Sequence, residues 1–233
     1  MKPPVSIAIE TSCRVGGVAL GRGDELLAVV PFDASARHAV QLVARLDVML
    51  RDADLRAEDL DEVYVSAGPG SFTGLRVGVT VARTLAQASP RLRCVAVPTA
   101  QAVAENARDF PWQHLGVVFD SKDDLIYAVQ FARRDGRIVP AAEPAVCTVA
   151  EFLAAAPRPL TLTGEGLGYH DLRAEGVTLL DESLRLPTPE GVWRVGRRLA
   201  DEGQFTEYHH LLPLYTRHPE AVRLWEQRHG PDA

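Results

Sequence analysis

The chain has 233 residues, 46% hydrophobic and 24% charged, with a formal charge of −6. That is enough chain for one large domain or two small lobes with a sizeable core. The acidic balance, without a basic run, argues against the chain gripping nucleic acid by itself, and no apolar run approaches the ~20 residues that span a bilayer.

Val5 to Ser12 reads as an apolar strand with Glu10 near its end. Val15 to Gly21 is a second strand, and Gly23-Asp24 turns the chain into a third, Glu25 to Phe32. Ala36 to about Ala53 is a helix with a main apolar stripe of Ala39, Leu42, Val43, Leu46, Met49 and Leu50. Val40, Ala44 and Val48, at i, i+4 and i+8, make a second stripe. Val63, Val65 and Ala67 alternate with Tyr64 and Ser66 as a strand. A glycine-rich loop, Gly68-Pro69-Gly70-Ser71-Phe72-Thr73-Gly74, opens onto a helix from Leu75 to Ala88, with Ser71 or Thr73 as N-cap. A strand at Cys94 to Val97 and a helix capped by Thr99, ending near Arg108, complete the first half.

A related pattern then restarts. Leu115 to Asp120, Leu125 to Ala132 and a short segment after Gly136 are strands. Thr148 caps a helix through Leu153, and Leu160 to Thr163 is a strand followed by a second glycine cluster, Gly164 to Gly168. Val177 to Leu180 is a strand, and Pro189 starts a helix to about Glu202. The order predicts mixed or parallel sheets flanked by helices in two lobes, 1–108 and a smaller 109–233. Pro213-Leu214-Tyr215 is extended. Pro219 begins a terminal amphipathic helix, with Ala221, Val222 and Trp225 on one side, that braces a lobe.

The glycine loop has two readings. Free amides at a helix N-terminus make an anion cradle, whereas glycines alone allow a tight turn and close packing. No Gly-Lys-Ser/Thr follows, so the P-loop pattern is absent. The helix after the loop carries two apolar stripes: Leu75, Val79, Ala82 and Ala86, and opposite them Val77, Val81, Leu85 and Ala88. A helix apolar on two sides is buried on two sides. One side faces the chain's own sheet, and the other meets a second layer or a partner. Arg76 and Arg83 lie between the stripes, solvated or in interface ion pairs.

Glu10 and Asp120 each end the first strand of a half. His38, His209, His210, His218 and His229 lack metal-ligand spacing. Ser12 and Ser71 would act as nucleophiles only beside a base, and no Ser-His-Asp or zinc-protease pattern supplies one. Cys13, Cys94 and Cys147 are scattered and odd in number. Together with an N-terminus lacking signal-peptide anatomy, they point to buried thiols in the cytoplasm rather than disulfides or a metal cage.

Three segments together resemble the TsaB family: Ile7-Ala8-Ile9-Glu10-Thr11-Ser12, then Gly68 through Gly78, then Pro213-Leu214-Tyr215-Thr216-Arg217 with Pro219-Glu220-Ala221. The resemblance implies the actin-like ATPase fold, two RNase-H-like lobes sharing a cleft. It implies a part in making threonylcarbamoyladenosine beside the anticodon of tRNAs that read codons starting with A. In that pathway a TsaD-like transferase carries the metal, the nucleotide and the chemistry, and a small TsaE-like ATPase joins the pair. TsaB-like chains also form homodimers through the first two helices of the N-terminal lobe. The TsaD-like metal pattern His-x-x-x-His is reduced here to His38, with Leu42 at the second place. The DAR-type turn appears as Asp120-Ser121-Lys122. The resemblance therefore implies a non-catalytic subunit that touches tRNA only indirectly and no membrane. It implies no cofactor of the chain's own, with ATP or ADP bound only together with partners. The partner-facing set is read as Val40, Ala44 and Val48 with Leu75, Val79, Ala82, Arg83 and Ala86. Glu10, Thr11, Ser12, Gly68, Gly70, Ser71 and Gly74 are read as a vestigial phosphate loop. The competing readings are a stand-alone ATP phosphotransferase and a glycoprotease-like peptidase.

Overall fold

Two sheets of the same design carry the chain in a computed structural model that describes residues 2–32 and 38–215. The helix expected after Pro219 lies outside the described residues, as do Thr216, Arg217, His218 and His229 and the side chain of His38. In the first sheet, β1 (Val5–Glu10), β2 (Gly17–Arg22) and β3 (Glu25–Pro31) form an antiparallel meander. Strands β4 (Glu62–Gly68) and β5 (Arg93–Pro98) add in parallel beside β1, giving the order β3-β2-β1-β4-β5. The second sheet repeats this plan. Its meander is β6 (His114–Asp120), β7 (Leu125–Arg134) and β8 (Arg137–Pro140), with β9 (Ala145–Thr148) also paired to β7. Strands β10 (Leu160–Thr163) and β11 (Val177–Leu179) add in parallel beside β6, so β11-β10-β6-β7-β8 mirrors the first order. The duplication inferred from element order is thus a duplication of sheet topology, that of two RNase-H-like halves of the actin-like fold.

Apolar stripes decide which face each helix takes. On one face of the first sheet lie α1 (His38–Asp52) and α2 (Phe72–Ala88). Their Leu42, Leu46, Met49, Leu50, Val79 and Ala82 form one core with Ile7, Ile9, Val63 and Val65. On the other face lies α5 (Pro189–Asp201), whose Val192, Trp193, Val195 and Leu199 pack on Ala8, Ala19, Tyr64 and Val97. Beside it, α3 (Thr99–Glu105) turns Ala100, Val103 and Ala104 onto Leu115, Val117, Phe119 and Phe131 of the second sheet. The far face of that sheet is covered by α4 (Val149–Ala155), with Phe152 against Val118, Ile126 and Leu162. The layers therefore run helix pair, sheet, helix pair, sheet, single helix.

Several expectations are corrected. Helix α5, assigned to the second lobe as part of 109–233, packs on the first sheet. The second sheet's inner face is already taken by α3, so the apolar side of α5 is left for the first. The chain stays with the first sheet afterwards, since Leu211 is buried in its core and the Thr206 amide donates to the Cys94 carbonyl at 2.8 Å. Thr99 does not cap α3: its hydroxyl accepts from the Gly68 amide at 3.1 Å, and Pro98 holds the cap position. Helix α2 begins at Phe72, three residues earlier than expected, because Ser71 caps it by accepting from the Gly74 amide at 3.3 Å. No helix among the described residues is long and apolar enough to cross a membrane.

Candidate functional site

The three sequence motifs converge on one spot at the carboxyl ends of β1 and β4. The Ser71 amide donates to the Ser12 carbonyl at 2.6 Å, stitching the glycine loop to the end of β1. The Leu214 amide donates to the Ala67 carbonyl at 2.5 Å, laying the returning segment over the same loop. A Cβ at Gly68, where φ is +120°, would stand 2.3 Å from the Leu214 carbonyl oxygen. At Gly70 a Cβ would stand 2.4 Å from the Ser12 carbonyl oxygen, and at Gly74 only 1.9 Å from that of Thr11. Main chain of this molecule fills the hollows these glycines make, while Pro69, Gly70 and Ser71 line a cleft on the loop's other side. Gly68, Gly70, Ser71 and Gly74 thus form a packing knot on that inner side.

Glu10 lies beneath that knot, fully buried. Its Oε1 accepts from the Ser12 amide at 2.5 Å and the Ser12 hydroxyl at 2.6 Å. Its Oε2 and the Thr11 hydroxyl find no partner among the described residues. Burial pushes the Glu10 pKa above its ordinary 4.5, outweighing the hydrogen bonds from Ser12 that lower it. Burial thus disfavours the charged form that would position a metal-bound phosphate. Asp120, the corresponding acid of the second lobe, stands across a cleft of about 580 Å³, its Oδ1 2.9 Å from His170 Nε2. No three His, Cys, Asp or Glu side chains among the described residues are grouped to hold a metal ion. Nucleophiles fare no better. Ser12 donates to Glu10, Ser71 serves as a cap, and burial pushes the Cys13 thiol up to about 12. The His209 and His210 rings meet at a steep tilt, centroids 4.1 Å apart, on an exposed turn.

The two N-terminal helices present a different kind of site. Along α1, Val40 is 74% exposed and Val48 45%, with exposed Ala44 between them, so this stripe faces outward. Along α2 the assignment of stripes is reversed. Leu75, Val79, Ala82 and Ala86, which the sequence suggested as partner-facing, are buried against the chain's own sheet. The outer ridge is instead Val77, Thr80, Thr84 and Ala88. Both stripes are aliphatic, so periodicity could not rank them. Between the helices runs an apolar groove of about 430 Å³, walled by Val43, Leu46 and Leu50 on one side and Val81 and Leu85 on the other, with Ile7 in its floor. Arg83 is half-buried beside the ridge, away from α1.

Sequence reasoning missed how the last motif fixes α2. Tyr215 stacks on Phe72 with ring centroids 4.8 Å apart, and its hydroxyl accepts from Arg76 Nε at 3.2 Å. The Arg76 guanidinium lies 3.9 Å over the Phe72 ring. Arg76 and Tyr215 both fall within the motifs that carried the family resemblance, which was the available signal.

Residues 26–206 match the family model described as TsaD, tRNA N6-adenosine threonylcarbamoyltransferase. The chain is 29% identical to the tRNA threonylcarbamoyladenosine biosynthesis protein TsaB of Bacillus subtilis (strain 168), covering 94% of this chain and 96% of the relative. It is 25% identical to the protein of the same name from Escherichia coli (strain K12), covering 97% and 99%. A tRNA N6-adenosine threonylcarbamoyltransferase of Bifidobacterium longum is 36% identical over only 38% of this chain and 30% of its own length. Among solved structures, a Pseudomonas aeruginosa protein described as similar to peptidase YEAZ superposes with a TM-score of 0.81 at 25% identity, over 92% of this chain and all of that one. YeaZ from the same organism gives 0.79 at 24%, over 91% and 99%. The chain belongs to the family that the TsaD threonylcarbamoyltransferase model describes, and within it to the TsaB line.

Proposed function

We propose that this chain is the non-catalytic assembly subunit in the synthesis of threonylcarbamoyladenosine on tRNAs that read codons starting with A. One observation carries the reading: α1 holds an outward aliphatic surface of Val40, Val43, Ala44 and Val48 that lies exposed among the described residues, and half-buried Val77 continues it on α2. Apolar surface left in water on two adjacent helices favours association, at roughly 25 cal/mol per Å² before the costs of ordering. Its partner is a TsaD-like transferase that lays the corresponding helices against it in a four-helix layer. Without that partner, a second copy takes the same place. A TsaE-like ATPase joins the assembled pair, tRNA meets this chain only through its partners, and the setting is the cytoplasm. The glycine knot, the buried Glu10 and the His170-paired Asp120 support a chain with no nucleotide of its own; ATP or ADP belongs to the assembled complex.

The test is co-purification with the transferase of the same cell, then reconstitution of the modification with this chain left out. Modification should require the chain. Calorimetry of the isolated chain with ATP and Mg²⁺ should register no binding. Full modification in its absence, or tight ATP binding by the chain alone, would overturn the reading.

A further inference from the structure

On the side of α2 away from α1, a groove of about 400 Å³ opens between the helix and the returning segment that includes Tyr208, Pro213 and Tyr215. Its lining among the described residues holds Arg76, Thr80, Arg83 and Gln87 from the helix and no carboxylate. Many arginines among the described residues have an acid at hand, as Arg51 has Asp47, Arg93 has Glu62 and Arg194 has Glu190. Arg83 has no hydrogen bond, ion pair or ring contact among the described residues. Among the described residues Arg76 is held by neutral groups only, the Tyr215 hydroxyl and the Phe72 ring. Seven residues separate the two arginines, two helical turns, so they share one side of α2 about 10 Å apart along its axis.

The groove borders the outer ridge of Thr80 and Thr84, so it is continuous with the docking surface on α1 and α2. We propose that this basic groove is the selective rim of that surface, fitted to a partner helix carrying carboxylates about two turns apart, and that it favours such a partner over a second copy of this chain. The proposal rests on the assembly-subunit reading. A contact between two copies must be complementary to itself. Among the described residues the groove has no acid to offer its own image, and of the two exposed acids of α1, Asp47 already sits 2.7 Å from Arg51 and Asp52 lies at the helix's last residue. Rim charges of this kind act chiefly on encounter rate and on the choice between partners, the apolar ridge supplying the affinity.

The experiment compares the full-length wild-type chain with Arg83→Gln and Arg83→Glu. Kd and association rate with the cell's TsaD-like transferase are measured at low salt and at about 0.5 M, where exposed charges are screened, and self-association is followed by sedimentation. Arg83→Glu should weaken the hetero-association about tenfold at low salt, mostly through a slower association rate, with the deficit shrinking at high salt. Arg83→Gln should fall between, and self-association should hold or tighten. Equal losses in both associations, or changes within twofold in each, would overturn the proposal. So would a deficit confined to tRNA binding by the assembled complex, which would give the groove to nucleic acid. Glu220→Gln with Glu226→Gln abolishing the effect of Arg83→Glu would give it to the chain's own end, and would overturn it as well. Val40→Glu separates the layers: if that change leaves both associations intact, the assembly reading itself fails, whereas a silent Arg83→Glu alone removes only the selective rim.

Discussion

A pair of glutamates placed one helix apart separates docking from folding. Val40 is 74% exposed and is the third residue of α1, a helix with no acidic residue in its first turn. A carboxylate there meets the positive end of the helix dipole, a gain of about 0.3–1 kcal/mol at the surface. The isolated monomer carrying Val40→Glu should therefore be as stable as wild type or slightly more so. In the docked state that side chain leaves water, and most of the roughly 1.5–3 kcal/mol available from burying a valine is lost. An unpaired acid in an apolar contact adds a penalty of at least comparable size. A loss of about 4 kcal/mol corresponds to a roughly thousandfold weaker Kd. Val79 is 3% exposed in the core under the first sheet. Val79→Glu buries its charge in the monomer itself, and several kcal/mol out of a total of about 5–15 should unfold much of the population. Urea unfolding at low protein concentration, alongside sedimentation with and without the transferase, reads both effects. Val40→Glu lowering the urea midpoint as far as Val79→Glu, or leaving both associations unchanged, would refute the assignment of faces.

The glycine knot makes a sharp prediction. A Cβ at Gly74 falls 1.9 Å from the Thr11 carbonyl, with backbone on both sides, so Gly74→Ala should cost about 3 kcal/mol and lower Tm by roughly 6–12 °C. Gly168→Ala, which meets nothing within 4 Å, should leave Tm unchanged. Glu10 bears on pH. Its folded pKa is raised, so the native state holds a proton that the unfolded chain releases near 4.5, and stability falls as pH rises from 4.5 through the folded value. Subtracting the pH–stability curve of Glu10→Gln from that of wild type should isolate this slope; a flat difference would mean that the carboxyl is ionised when buried. Cys13, with its thiol near 12, should alkylate far more slowly than a free thiol at pH 8, and labelling at the free rate would contradict its burial.

Much of this architecture could be read from residue order, because both halves spell out three strands, a helix and a further strand. Local chemistry was legible where it depends on one residue type at one place, as at the Thr148 cap, which the structure completes as a capping box with Glu151. What escaped was what depends on three dimensions. Four residues of β9, from Ala145 to Thr148, are too few to show a pattern. Which sheet α5 would cover was set by α3 having already taken the other. The two stripes of α2 are alike in composition, and only tertiary packing distinguishes the one bearing Leu75 and Val79 from the one bearing Val77 and Val81. The glycine loop suited a phosphate as well as it suited a neighbouring strand, and only the structure shows Ser12, Thr11 and Leu214 packed against its glycines.

The two halves also differ in a way that places the docking surface on one of them. Each carries a glycine turn after its fourth strand in the repeated plan, and each turn packs on the lobe's own first strand: Gly74 on Thr11, and Gly164 on Val118, 2.2 Å from a built Cβ to the carbonyl oxygen. The elements after the two turns are unequal. In the first lobe the turn leads into the 17-residue α2, lying beside the 15-residue α1. In the second it leads into a four-residue 3-10 turn, Glu165–Gly168, and that lobe's own helix, α4, has only seven residues. A pair of helices long enough to present a continuous aliphatic ridge exists only in the first lobe among the described residues, so duplication of the fold does not duplicate the surface. Ala154 on the exposed side of α4 should then accept a charge without consequence. Ala154→Glu is expected to bind the transferase and its own copy with wild-type Kd, and a tenfold loss in either would move the docking surface, or part of it, to the second lobe.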